Sequence, residues 1–374
     1  MPNVEKSRIP LLSFFSGGGF LDMGFKMAGF EIAFSTELDK DFAQFYKEGM
    51  SSWSGVEKKI SAIADINNLR SEYLQGFVKH PFGIIGGPPC QDFSIRGSKN
   101  GFSGIRGTLT YSYYEKIMDL QPDFFLMENV PGLVLLKKTK DSFNAILNLF
   151  REDYLISCKR LNSLEYGLPQ SRERLFVFGM KKSRVSNLEI NEDDWFEWPQ
   201  PKFPNASISY NWGEPKDRLI ISNLSLPDPP EELCVNKILI NESEELKIPN
   251  AREYFNLKNP KKIQSIEEGD TYRPSFKRLH RKKYSPTACY GNNEVHIHPT
   301  LTRRLSVREA LRIQGVPDSY VISTQGNLTK KFKMIGNGVP IPLAYQVGLA
   351  IKLFLTKVNF IGTKHSNDTL KELV

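Results

Sequence analysis

The string Gly86-Gly87-Pro88-Pro89-Cys90-Gln91-Asp92-Phe93-Ser94 presents a thiol directly behind two prolines. Paired prolines stiffen the backbone and limit how far the Cys90 sulfur can wander. A lone cysteine is most often a buried structural thiol, and what separates Cys90 from that reading is its company. Glu128-Asn129-Val130-Pro131 closes one apolar run, and Gln170-Ser171-Arg172-Glu173-Arg174 immediately precedes another. A thiolate, the Glu128 carboxyl and the guanidinium groups of Arg172 and Arg174 suit nucleophilic attack on a polar heterocycle. Singly, Glu128 reads as a helix-start carboxylate and the arginines as surface partners of Glu173. Together, those readings lose weight.

A second constellation points to a ligand rather than a reaction. Phe15-Ser16-Gly17-Gly18-Gly19-Phe20-Leu21-Asp22 follows an apolar run, and glycines there let the backbone approach a bound molecule closely. Glu37 comes 20 residues after Gly17, a position from which a carboxylate accepts hydrogen bonds from ribose hydroxyls. Asp65, in Ile63-Ala64-Asp65-Ile66, is placed to read an adenine amino group. Alone, these residues equally describe a tight turn with two surface acids. The spacing is not G-x-G-x-x-G, because Asp22 stands where the third glycine would fall. No Lys-Ser/Thr follows either, which disfavours a nicotinamide cofactor.

The elements that must position these groups are short. Residues 9–15, 31–36, 82–86, 124–127, 154–158 and 175–179 read as strands. Most are continuously apolar rather than alternating, as in strands covered on both faces. Residues 111–120 and 141–150 between them carry apolar side chains at helical spacing. This alternation predicts an α/β fold, a doubly wound Rossmann-like, mostly parallel sheet. Ligands bind outside the carboxyl ends of such strands, so the Cys90 loop and Glu128 should share one crevice.

Character changes near residue 182, after which Pro, Asn, Glu and Asp dominate to about residue 270. The simplest organisation is a catalytic domain over 1–182, interrupted by a smaller inserted domain over 183–299 and completed by 300–356. Helical patterning resumes at 307–314 and 342–355, and 357–374 reads as a polar tail. Between residues 271 and 293 there is no acidic side chain, but there are Arg273, Lys277, Arg278, Arg281, Lys282 and Lys283. That run reads as a phosphate-binding strip or as an ordinary solvated face.

In 374 residues, 50 basic side chains face 42 acidic ones, a balance of +8 that suits a polyanionic partner. Cys90, Cys158, Cys234 and Cys289 form no C-x-x-C pair. A disulfide framework or metal site is not expected, and a reducing cytoplasm fits. No leader is visible, and no run approaches the ~20 apolar residues that span a bilayer. A cytoplasmic protein without membrane association is the expectation.

In order along most of the chain, these strings resemble the cytosine-C5 DNA methyltransferase family of bacterial and phage modification enzymes. The resemblance takes in residues 15–19, 86–94, Arg106-Gly107-Thr108-Leu109, Glu128-Asn129-Val130 and 170–174. It continues through Arg304-Leu305-Ser306-Val307-Arg308-Glu309, Gln314-Gly315-Val316-Pro317 and Gly336-Asn337-Gly338-Val339-Pro340. One departure is plain: the family usually has glycine where Phe20 stands. The resemblance implies a class I methyltransferase using S-adenosylmethionine, held by Phe15, Ser16, Gly17, Gly19, Glu37, Leu38, Asp65, Ile66, Pro88, Leu109, Asn337 and Gly338. It makes Cys90 the nucleophile at cytosine C6, Glu128 the partner of N3 and the exocyclic amine, and Arg174 with Arg172 the holders of O2. A base inside a duplex must be flipped out to be reached. Ser94, Arg96 and Lys99 would close over it, while Arg273, Lys277, Arg278 and Arg281 would hold phosphates. The insert becomes a target-recognition domain, with double-stranded DNA as partner, a monomer on DNA as working unit and a restriction endonuclease as functional counterpart. The alternatives are a tRNA-directed enzyme of the same fold, an inactive DNA-binding homologue and a nicotinamide oxidoreductase. The intact Cys, Glu and Arg positions speak against the second, and the glycine spacing against the third.

Overall fold

The computed structural model describes residues 8–58, 60–89, 108–186, 191, 194–213, 226–257, 260–290 and 295–358. At its centre is a six-stranded sheet in the order β2-β1-β3-β4-β6-β5. The strands are β1 (Pro10–Phe14), β2 (Glu31–Thr36), β3 (Gly83–Gly86), β4 (Phe124–Asn129), β5 (Tyr154–Asn162) and β6 (Glu173–Lys181). β1 is parallel to β2 and β3, and β3 to β4. β6 runs antiparallel to both β4 and β5. Every residue of β3 and β4 is buried, which explains their unbroken apolar runs: neither face meets water.

The longer helices are α1 (Phe20–Met27), α2 (Lys40–Ser54), α3 (Leu109–Leu120), α4 (Lys137–Asp153), α5 (Val307–Ile313), α6 (Leu328–Asn337) and α7 (Ile341–Lys357). One face of the sheet packs Leu12, Ile84, Met127 and Val177 against Tyr113 and Ile117 of α3 and Phe143 and Phe150 of α4. The other packs Leu11, Ile85, Leu126 and Phe178 against Phe25 of α1 and Leu343, Val347 and Ile351 of α7. The apolar character of α7 is therefore that of a core helix, and the last third of the chain returns to complete the layer.

Residues 183–299 hold only short elements among those described, including the helices Ala206–Ser209 and Pro260–Gln264 and a parallel pair, β7 (Lys277–Arg278) with β8 (His296–Ile297). This is the physical counterpart of the weak periodicity. The segment does not pack only on itself. Val235, Ile238, Leu279, Ala288 and Tyr290 share one core with Phe42, Phe45 and Met50 of α2, Leu311 of α5 and Ile335 of α6.

Candidate active site

Because β1 to β4 are mutually parallel, their carboxyl ends line one edge of the sheet, where Phe15, Glu37 and Gly87 follow β1, β2 and β3 and Glu128 is the penultimate residue of β4. Arg174 reaches that edge only because β6 is antiparallel, with Phe176 opposite Glu128 and Leu175 opposite Asn129. Arg174 Nε donates to Glu128 Oε1 at 2.9 Å, with both side chains 10% exposed. The other carboxylate oxygen crowds the loop stem, since a Cβ on Gly87 would lie 2.9 Å from Glu128 Oε2. Asn129 Nδ2 donates to Pro88 O at 2.9 Å and anchors the same stem. Burial pushes the Glu128 carboxyl above its ordinary value, against the opposing pull of Arg174 and Arg172. The sheet thus aims a carboxyl and a guanidinium at the base of the loop that carries Cys90. Cys90 itself, with Ser94, Arg96 and Lys99, lies outside the described residues.

Arg172 does not take the place expected for it. It has no exposed surface. Nη1 donates to Ala288 O at 3.1 Å, and Nη2 to Gly336 O at 2.6 Å and Gly338 O at 3.0 Å. Its outer donors are committed to backbone carbonyls rather than turned toward a substrate, because the chain crosses over it at both 288 and 336–338. Burial, with the neighbouring Arg174, lowers its pKa to about 9, so it stays charged at neutral pH.

The glycine turn is built as a cradle. Phe15 (φ 57°), Gly17 (φ 54°) and Gly19 (φ 82°) are left-handed, a conformation that glycine tolerates best. Ser16 N donates to Thr36 O at 3.0 Å. Glu37 spans the turn, accepting from Gly17 N through Oε2 and from Asp39 N through Oε1, each at 2.9 Å. A carboxylate oxygen carries a further lone pair after one such bond. The Gly17 Cβ position has nothing within 4 Å, and Leu38, next after Glu37 in the chain, is 60% exposed. Open space over a glycine, an available carboxylate and an exposed apolar side chain together fit a nucleoside. Asp65 caps the turn Ile66–Asn68 by accepting from Asn67 N at 2.9 Å. Ile66 turns its side chain into the core, so only its main chain can face a ligand. Leu109 opens α3 behind the Thr108 cap, and Asn337 ends α6 in an exposed position.

The departure at Phe20 has a structural cause. A Cβ on Gly338 would fall 2.2 Å from the Phe20 ring, and that ring stands edge-on to Tyr320 at 5.6 Å. Phe20 fills the space between the first glycine turn and the last. Asp22, read from the sequence only as a break in the glycine pattern, is fully buried beneath the turn. It accepts from Ser13 Oγ at 2.6 Å and Tyr46 OH at 2.9 Å, and burial raises its pKa to about 6. Tyr320 OH also donates to Gly18 O at 2.9 Å. The signal for Asp22 was a lone acid among the apolar residues of α1.

The basic run separates into different roles. Arg278 is buried and donates to Ile263 O, His298 O and Pro299 O at 2.9–3.3 Å. It pins the chain instead of facing solvent. Arg281 is paired through two nitrogens with Glu268 at 3.0 and 3.1 Å, and Arg273 with Asp270 at 3.4 Å; acids outside the basic run partly neutralise both. Lys277 is half-buried on β7. Lys282 and Lys283 line a cleft of about 1040 Å³ with Trp212, Asn236 and His280. Asp270 meets Arg273 from three residues away, whereas folding brings Glu268 to Arg281 across 13 residues.

Residues 9–353 match the C-5 cytosine-specific DNA methylase family. Type II methyltransferase M.NmeDI of Neisseria meningitidis serogroup C is 38% identical over 94% of this chain and 85% of its own length. Type II methyltransferase M.FnuDI of Fusobacterium nucleatum is 34% identical over 96% and 99%. Among solved structures, a protein described as a DNA modification methyltransferase from an Escherichia coli prophage superposes with a TM-score of 0.65 at 26% identity, covering 93% of this chain and 99% of that one. The S. pombe Dnmt2 methyltransferase, at 16% identity and a TM-score of 0.61 over 94% of this chain and all of that one, shares the fold. With the sheet, the Glu128–Arg174 pair and the glycine cradle in place, the chain belongs to the C-5 cytosine-specific DNA methylase family.

Proposed function

We propose that the chain methylates C5 of a cytosine flipped out of duplex DNA at a specific sequence, working as a monomer and as the modification half of a restriction–modification pair. The pairing that carries this reading is Arg174 on Glu128 against the stem of the Cys90 loop. C5 of cytosine is a poor nucleophile because its ring is aromatic and electron-poor. The Cys90 thiolate adds to C6, and Glu128 delivers a proton toward N3 while accepting from the exocyclic amine. The raised affinity of Glu128 for a proton suits that task. Arg174 offers Nη2 to O2, its Nε being on Glu128 and its Nη1 on Glu173 O. These groups are preorganised for charge that develops only on addition. C5, now enamine-like, attacks the methyl carbon of the donor sulfonium, whose sulfur leaves as a neutral thioether. A base then takes the C5 proton as Cys90 departs as thiolate, and Glu128 takes back the N3 proton, which restores the neutral ring.

S-adenosylmethionine supplies a methyl group made electrophilic by its sulfonium. Glu37 would hold the ribose, Phe15 and Leu38 the adenine faces, Asp65 its amine, and Leu109, Asn337 and Gly338 the far wall. Residues 94–99 would cover the flipped base, and Lys282 and Lys283 would meet phosphates.

A duplex carrying 5-fluorocytosine has no C5 proton to lose, so the enzyme should remain covalently attached through Cys90 in denaturing gels. Bisulfite sequencing of DNA from cells expressing the protein should reveal 5-methylcytosine in one sequence context, and labelled methyl donor should mark duplex DNA in preference to tRNA. Absence of 5-methylcytosine, or label on tRNA alone, defeats the reading.

A further inference from the structure

We infer that Arg172 is a positioning residue that makes the cofactor turn sensitive to DNA held by the inserted segment. The inference rests on the preceding reading in two respects: residues 336–338 border the cofactor, and the insert faces DNA. Arg172 is completely buried, so it acts through the carbonyls it holds. One planar guanidinium bonds Ala288 O, in the last part of the insert, and both Gly336 O and Gly338 O, which flank Asn337. A rigid fork cannot follow one set of acceptors without pulling on the other.

The surrounding bonds leave little slack. Ser171 N donates to Ser285 O at 2.9 Å, Ser285 N to Pro169 O at 2.8 Å, and Ala288 N to Gln170 Oε1 at 2.8 Å. Thr287 Oγ1 donates to Ser171 O at 2.8 Å. A second arm leaves Gln170 through Nε2 to Gln314 Oε1 at 3.2 Å, and Gln314 Nε2 continues to Ile335 O at 2.7 Å. The turn and the insert also touch directly, since a Cβ on Gly336 would lie 3.0 Å from the Cys289 carbonyl carbon. Two polar routes and one steric contact therefore join residues 285–289 to residues 335–338. The exposed Lys282 and its neighbour Lys283 lie just upstream of that segment. A phosphate bound there bears on Ser285, and through Arg172 on the carbonyls around Asn337.

The test measures equilibrium binding of S-adenosylhomocysteine to the full chain, with and without a duplex plasmid already shown to be methylated. DNA should tighten binding by about fivefold or more in the parent protein, the lower end of ordinary coupling between sites. Arg172→Lys keeps the charge but cannot reach all three carbonyls. It should bring that ratio close to one while changing the DNA-free affinity less. A ratio of one in the parent, or an undiminished ratio in folded R172K, overturns the inference. Folding itself can depend on so buried an arginine, so amide exchange in the parent gives an independent readout. DNA without cofactor should slow exchange at Gly338 N, which donates to Met334 O at 3.1 Å; unchanged exchange also overturns the coupling. If S-adenosylhomocysteine does not bind, or Asn337→Ala leaves its affinity intact, the cofactor reading itself falls. That result is distinct from intact binding without coupling.

Discussion

Cys90 and Glu128 divide the proposed chemistry between a nucleophile and a proton source, and each can be removed separately. Cys90→Ser should abolish methyl transfer while leaving S-adenosylhomocysteine affinity within a few-fold of the parent; near-normal turnover would exclude the covalent step. Glu128→Gln keeps the shape but not the acid, and should lower the rate by about 10²–10⁴. Single-turnover assays with labelled donor would measure both. Asp22 offers a separate test through pH. Burial raises its pKa from 3.8 to about 6, so the folded state holds the proton more tightly than the unfolded chain does. The stability this contributes is full below pH ~4 and is lost as pH rises toward ~6. Asp22→Asn has no proton to lose. Its stability relative to the parent should therefore improve by up to about 3 kcal/mol between pH 4 and pH 7, measured as urea midpoints at both values. A constant gap would show that the carboxyl does not titrate in that window.

Among the elements, β6 matters most, since its direction decides whether Arg174 meets Glu128 at all. All six strands were legible from apolar runs, with ends within four residues of those observed; the largest difference is at the end of β5, where Cys158, Lys159 and Arg160 are exposed. Direction was not legible: a run such as Leu175-Phe176-Val177-Phe178 reads the same in either orientation, and only pairing with β4 fixes it. The Glu128 and Arg174 positions could be proposed from their strings. The burial of Arg172 and Arg278 could not, because an arginine's fate depends on which distant carbonyls fold around it. Helix spacing gives a further prediction. Gly24 brings α1 against α7 so closely that a Cβ there would stand 2.5 Å from the Ala344 Cβ and 2.7 Å from Tyr345 N. Gly24→Val should cost about 1–3 kcal/mol through overpacking, seen as a lowered melting temperature. An unchanged melting temperature would mean that the two helices part without cost.

For the molecule as a whole, a charge of +8 sets an electrostatic contribution to DNA affinity that salt should erode. Replacing Lys282 and Lys283 together by Ala should flatten the dependence of log K on log salt by about 0.9 for each phosphate left without its lysine. It should do so across sequences, without altering the methylated context. Arg278→Ala should behave differently. Three carbonyls would be deprived of a buried donor, so thermal stability should drop by about 3 kcal/mol while any effect on the salt slope remains secondary. A matching change in salt slope for both variants would return Arg278 to the phosphate-binding surface.

On the proposal that residues 183–299 read the target sequence, the core shared by Val235, Ile238, Leu279 and Tyr290 with α2, α5 and α6 bears on how new specificities can be made from this scaffold. A chimera exchanging the whole of residues 183–299 for a foreign counterpart would take Val235, Ile238, Leu279, Ala288 and Tyr290 out of that core, and its soluble yield should fall. Grafts that retain those side chains and replace only the surface between them would keep the scaffold closed. Changes of target within this lineage are then expected to accumulate as patches on a retained interior, not as wholesale transplants.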